Sequence, residues 1–238
     1  MSDEYEEYYQ LSDSDGEIRV RDSSTNLTLV FPGPELEADL RTINAGVAAH
    51  DPDRALEVVN SLTSVERVLE SLGQRAMKDC EVMPYEPADL DLVMVGCWGQ
   101  VVYVHDAGLA GDLVDYADTE VWNQQRLHPQ ASIVSKVFLD MVADYMQLIF
   151  WLPGLQPVTT EWSDGFRVKG DVPALLRAAG VDESADLSDL SELDFQGLAR
   201  QICGFAPYME GPEALPVSLF RVGRPEDVIE EMEDVWIR

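Results

Sequence analysis

Between Ile133 and Leu152 the chain runs through its most apolar stretch, part of a segment from Ala131 to Leu152 that whatever it folds into must bury. Ile133, Val134, Val137, Phe138, Met141, Val142, Tyr145, Leu148 and Ile149 recur at helical spacing and cover a wide face. That pattern predicts a long helix at the centre of the core. The stretch is nearly long enough to cross a bilayer, but Lys136, Asp140 and Asp144 interrupt it, and each would be costly in lipid. The helix is therefore expected inside the protein, or against a second copy if part of its face is left exposed.

Shorter signals arrange the rest around it. Ile18–Val20 and Leu27–Phe31 alternate weakly around Asp22–Asn26, which suggests a hairpin. A helical part is expected from about 34 to 80. Leu36, Leu40, Ile43 and Val47 mark its first helix, and Asp51 caps a second with Pro52 in its first turn. Thr63 and Glu66 have capping-box spacing, so a third helix is expected, with Val65, Val68, Leu69 and Leu72 as its stripe. Leu92–Val95 and Gln100–Val104 flank Gly96–Gly99 as a buried hairpin. His128-Pro129 is the loop before the long helix. A strand at Gly165–Gly170, helices at Asp171–Gly180 and Phe195–Cys203, a strand at Pro216–Val222 and an acidic helix at Pro225–Trp236 complete the series. The expected fold is α+β: a helical N-terminal part packed with a β-hairpin or small sheet and a long central helix. Residues 1–17 read as a flexible acidic tail, and 18–238 as one body with a sub-boundary candidate at the Pro-rich 83–87.

The charge narrows the function classes. Sixteen Lys and Arg against 45 Asp and Glu leave a formal net charge of −29. Such a chain repels nucleic acid phosphates and the anionic cytoplasmic leaflet, and it attracts basic proteins. The opening residues Met1–Gln10 are polar and acidic, unlike a signal peptide. Cys80, Cys97 and Cys203 are odd in number and widely spaced, as reduced thiols are. A cytoplasmic protein is expected.

Chemistry-bearing patterns are sparse. Gly96-Cys97-Trp98 resembles, over three residues, the surroundings of the nucleophile in papain-like proteases. In that family the cysteine opens a long helix, whereas a strand pattern follows here, with His105 nearby; a buried structural thiol is the expectation. His50, His105 and His128 follow no metal-binding spacing. Glu161 and Asp164 around Trp162 have the make-up of a sugar platform, and a capped turn at Ser163–Gly165 accounts for the same residues. Asp182–Asp194 lacks the glycine and terminal glutamate of an EF-hand. No phosphate-binding glycine motif and no Gly-x-Ser-x-Gly occurs. No cofactor and no metal is expected.

What remains is a surface for a basic protein. Tyr5, Glu6, Glu7, Tyr8 and Tyr9 interleave aromatic contact area with carboxylates in the tail. Glu226, Asp227, Glu230, Glu231 and Asp234 add an acidic row near the C-terminus. The expected function is a non-catalytic partner of a basic protein, of the immunity-protein, inhibitor or DNA-mimic type. The alternatives are an enzyme from a halophile whose acidity is host adaptation, and a phage or virion assembly factor.

Overall fold

The computed structural model describes residues 23–80, 90–110, 115–139, 145–163, 165–181, 192–205 and 214–229. They form one nine-stranded sheet in the order β2-β9-β3-β4-β1-β5-β6-β7-β8. Its strands are β1 (Ser23–Val30), β2 (Arg67–Ala76), β3 (Leu92–Trp98), β4 (Val101–Asp106) and β5 (Ser132–Leu139). They continue with β6 (Tyr145–Trp151), β7 (Val158–Trp162), β8 (Phe166–Lys169) and β9 (Pro216–Gly223). Every neighbouring pair is antiparallel. The helices are shorter: α1 (Leu36–Asn44), α2 (Pro52–Val59), α3 (Asp115–Leu127), α4 (Val172–Ala178) and α5 (Glu192–Cys203).

This corrects the expected architecture. A large sheet, not a helical half with a long central helix, organises the molecule, and α+β holds only in the loose sense. The described parts of 131–152 form two paired strands, β5 and β6, with Val134 opposite Phe150 and Val137 opposite Gln147. The reason is burial on both faces. Ile133, Val137, Ile149 and Trp151 enter one core cluster, while Val134, Leu148, Phe150 and Leu152 enter the other. A strand buried on both sides presents a near-continuous apolar run, which periodicity alone does not separate from a buried helix. The β-branched and aromatic residues of that run decide for strand. His128-Pro129 accordingly follows α3 and leads into β5.

The two clusters define three layers. On one face α2 contributes Ala55 and Val59, and α3 contributes Val121. On the other, α1 supplies Ile43, α4 supplies Leu175 and Leu176, and α5 supplies Phe195, Leu198 and Ala199. Strands alternate between them: Val93, Val95 and Cys97 of β3 face the α2–α3 side, and Met94 and Trp98 face the other.

Several local expectations hold. Asp51 caps α2, accepting from the Asp53 and Arg54 N–H groups at 3.1 and 3.0 Å, with Pro52 in the first turn. Asp171 caps α4 through the Ala174 N–H at 3.0 Å. The hairpin of β3 and β4 turns at Gly99, whose φ of 55° favours glycine. At Gly96 the indole of Trp98 folds back so closely that a Cβ would overlap the ring. Other expectations fail. Residues 23–26 of the expected turn lie in β1, and 18–22 fall outside the described residues. The third helix is strand β2 instead. Both the N–H and the hydroxyl of Thr63 donate to Glu120 of α3, so the Thr63 N–H is already committed and not left for Glu66, as a capping box requires. The tail 1–17, the 83–87 segment and most of 182–194 lie outside the described residues.

Gln147 lies on the α2–α3 side of β6 with no exposure, and neither end of its amide finds a partner among the described residues. Burying an unsatisfied amide is unfavourable. Gln147→Leu is therefore expected to raise stability by about 1–2 kcal/mol, read by urea unfolding. A loss of comparable size would mean that the amide is satisfied in solution.

Candidate functional site

Of the residues expected to meet a partner, Tyr5, Glu6, Glu7, Tyr8 and Tyr9 lie outside the described residues, as do Glu230, Glu231 and Asp234. Glu226 and Asp227 are exposed at the start of a helical turn after β9, anchored by the buried Val228.

The cysteine and histidine candidates are brought apart. Cys97 pairs with Val102 and faces the α2–α3 side, whereas His105 pairs with Met94 and faces the opposite side. Burial pushes the Cys97 thiol up to about 12, against a smaller opposing pull from Arg54. A thiol held protonated in a strand has none of the features of a nucleophile. The imidazole beside Cys97 is His50, but it serves the backbone: its Nδ1 accepts from the Cys97 N–H at 3.1 Å. Nδ1 also lies 3.3 Å from the Cys97 carbonyl, and Nε2 lies 2.8 Å from Ser218 Oγ, so both ring nitrogens are occupied by internal partners. The sugar platform does not form either. Glu161 and Trp162 are successive residues of β7, so their side chains leave opposite faces of the sheet. Asp164 lies outside the described residues.

Two buried carboxylates join segments. At the end of β4, Asp106 pairs with Arg224 at 2.7 Å, both side chains being almost fully enclosed. Asp106 also accepts from Ser64 Oγ and from the Gly108 N–H, while Arg224 donates to the Leu90 and Ser64 carbonyls. Glu120 of α3 accepts from Thr63, from Asn123 at 3.1 Å and from Gln124 at 2.7 Å. Both are saturated by protein donors, as structural charges are.

Among the described residues, one concave feature with convergent polar groups is a cleft of about 280 Å³ between α2 and α3. Its floor is Leu29 of β1, Val102 of β4 and Phe31, and its walls include Val58 and Leu127. Arg54, Glu57, Ser61, Gln124 and His128 supply its polar groups. Arg54 lies over the Phe31 ring, 4.9 Å from its centroid, and donates one N–H to the Gly99 carbonyl. His128 meets the same ring edge-on, with centroids 5.2 Å apart. Burial, reinforced by the Arg54 charge, lowers the His128 pKa, so the imidazole is neutral at pH 7. Among the described residues no group of three or more His, Cys, Asp or Glu could hold a metal ion. Nor is any of their helices long and apolar enough to cross a membrane. The sequence reading missed Arg54 and Gln124. The available signal was one Arg within the acidic run Asp51–Glu57, interpretable only once α3 is known to pack beside it.

A family model spans residues 9–238. The chain belongs to DUF6333, a family of unknown function. No curated protein matches this DUF6333 chain, and no solved structure does.

Proposed function

We propose that this DUF6333 chain is a non-catalytic acidic binding protein that neutralises or chaperones a basic protein partner, as an immunity protein, inhibitor or DNA mimic does. The location of its charge carries the reading. Among the described residues only Asp106 and Glu120 are buried carboxylates, and both are consumed by internal donors. Asp39, Asp91 and Glu161 are half-buried, and many others, Glu226 and Asp227 among them, are exposed. A field of that sign speeds encounter with a cationic surface and discourages phosphate-bearing partners. We read the setting as cytoplasmic, in keeping with three free, buried thiols.

Two measurements test this. A thermal melt from about 0.1 M to about 3 M KCl is expected to find the protein well folded at the low end, where like charges are least screened. Unfolding at low salt would assign the acidity to a salt-rich host. Affinity purification from source lysate at low salt is then expected to return a stoichiometric basic protein that high salt releases. Absence of such a protein would count heavily against the reading.

A further inference from the structure

The cleft between α2 and α3 holds a cation that the fold does not neutralise. In a chain with 45 acidic residues against 16 basic ones, an arginine is easily paired. Arg41 meets Glu37 on α1, and Arg224 meets Asp106 in the core. Arg54 makes no ion pair with any described residue; it meets the Gly99 carbonyl and the face of the Phe31 ring instead. Half-buried and fixed over Phe31, its guanidinium keeps most of its N–H donors for something else.

The rest of the cleft narrows what that is. The floor of Leu29, Val102 and Phe31 is apolar and suits a hydrocarbon or aromatic body. Gln124 is committed, its Nε2 donating to Ser61 Oγ at 3.2 Å and to Glu120 at 2.7 Å. His128 offers a neutral imidazole to hydrogen-bond a carboxylate oxygen. Glu57, one turn along α2 from Arg54 and exposed, adds a negative charge to the lining, which weakens the hold on any anion and disfavours a doubly charged one more than a monocarboxylate. A volume of about 280 Å³ admits a small molecule only.

We propose that this cleft binds a small monocarboxylate with an apolar body, the carboxylate engaging Arg54 and the body lying on Leu29, Val102 and Phe31. The site is independent of the acidic surface, so either reading can fail without the other. The probe is 3-phenylpropionate, titrated against the full chain by saturation-transfer NMR, with a dissociation constant of about 1 mM or tighter expected. The matching amide, 3-phenylpropionamide, and inorganic phosphate are expected to bind at least about tenfold more weakly. Arg54→Met is expected to lose about tenfold or more in affinity, and Arg54→Lys less. Because Arg54 also holds the Gly99 carbonyl, Leu127→Asp provides a second route: it places a negative charge on the cleft wall without touching that contact. It is expected to weaken the carboxylate by a similar factor. No binding of 3-phenylpropionate at about 10 mM would overturn the proposal. Equal binding of the amide or of phosphate would overturn it too, as would retention of affinity in the folded Arg54→Met and Leu127→Asp proteins.

Discussion

Replacing Arg224 by methionine is expected to destabilise the protein by about 3–5 kcal/mol, measured by urea unfolding at neutral pH. The Arg224 side chain is 1% exposed and its partner Asp106 not exposed at all, so the variant leaves a carboxylate enclosed without its cation. The loss extends further, because Arg224 also donates to the backbone of residues 64 and 90, and Asp106 accepts from Ser64 and Gly108. Four separated segments of the chain meet on this one pair. The double variant Arg224→Met with Asp106→Leu is expected to recover part of the loss by removing the isolated charge. Recovery stays partial, since the Leu90 carbonyl and the Gly108 N–H still lack their partners. A single-variant loss below about 1 kcal/mol would show that water reaches the pair and that it is not enclosed.

The second large effect is a pH dependence at His105. Burial lowers its pKa from 6.5 to about 4, against a weaker opposing influence of Asp106. The unfolded chain takes up this proton below about pH 6.5 and the folded chain does not. Stability linked to His105 is thus intact above about pH 6.5, falls as the pH drops, and levels off near pH 4. The decrease amounts to about 3 kcal/mol between about pH 7.5 and about pH 4. His50 and His128 are also shifted down, and carboxylate protonation relieves self-repulsion over the same range, so a single curve is composite. The difference between the wild-type protein and His105→Leu isolates the contribution. It is expected to shrink in the wild type's favour on going up in pH and to grow against it on going down. A pH-independent difference would mean that solvent reaches the ring.

Segments with one dominant local signal were legible in the sequence. Asp51 and Asp171 each precede a proline-containing first turn, and each caps a helix. Glycine and β-rich runs located the hairpin of β3 and β4 and the strands β8 and β9, and the helix expected over Phe195–Cys203 is α5. What failed depended on distant partners. β5 and β6 looked helical because the layers on both faces of the sheet require apolar side chains at successive positions. The expected capping box at Thr63 is replaced by donation to a carboxylate 57 positions away, which no window of local sequence contains. The cleft is of the same kind. Arg54 and His128 are neighbours only because α2 and α3 pack on the same face, and α3 itself carries few apolar residues to betray it.

The position of β9 sets an order of events during synthesis. This strand, the last of the described ones along the chain, lies between β2 and β3, which never touch as neighbours. Until residues 216–223 have left the ribosome, β2 has no strand to pair with, and β3 keeps an open edge. The nascent chain therefore carries two unpaired strand edges through most of its translation, a state that invites mispairing and recruits chaperones. Insertion of one late strand, second from one edge of the sheet, then joins β2 to the other strands, so that edge is completed late.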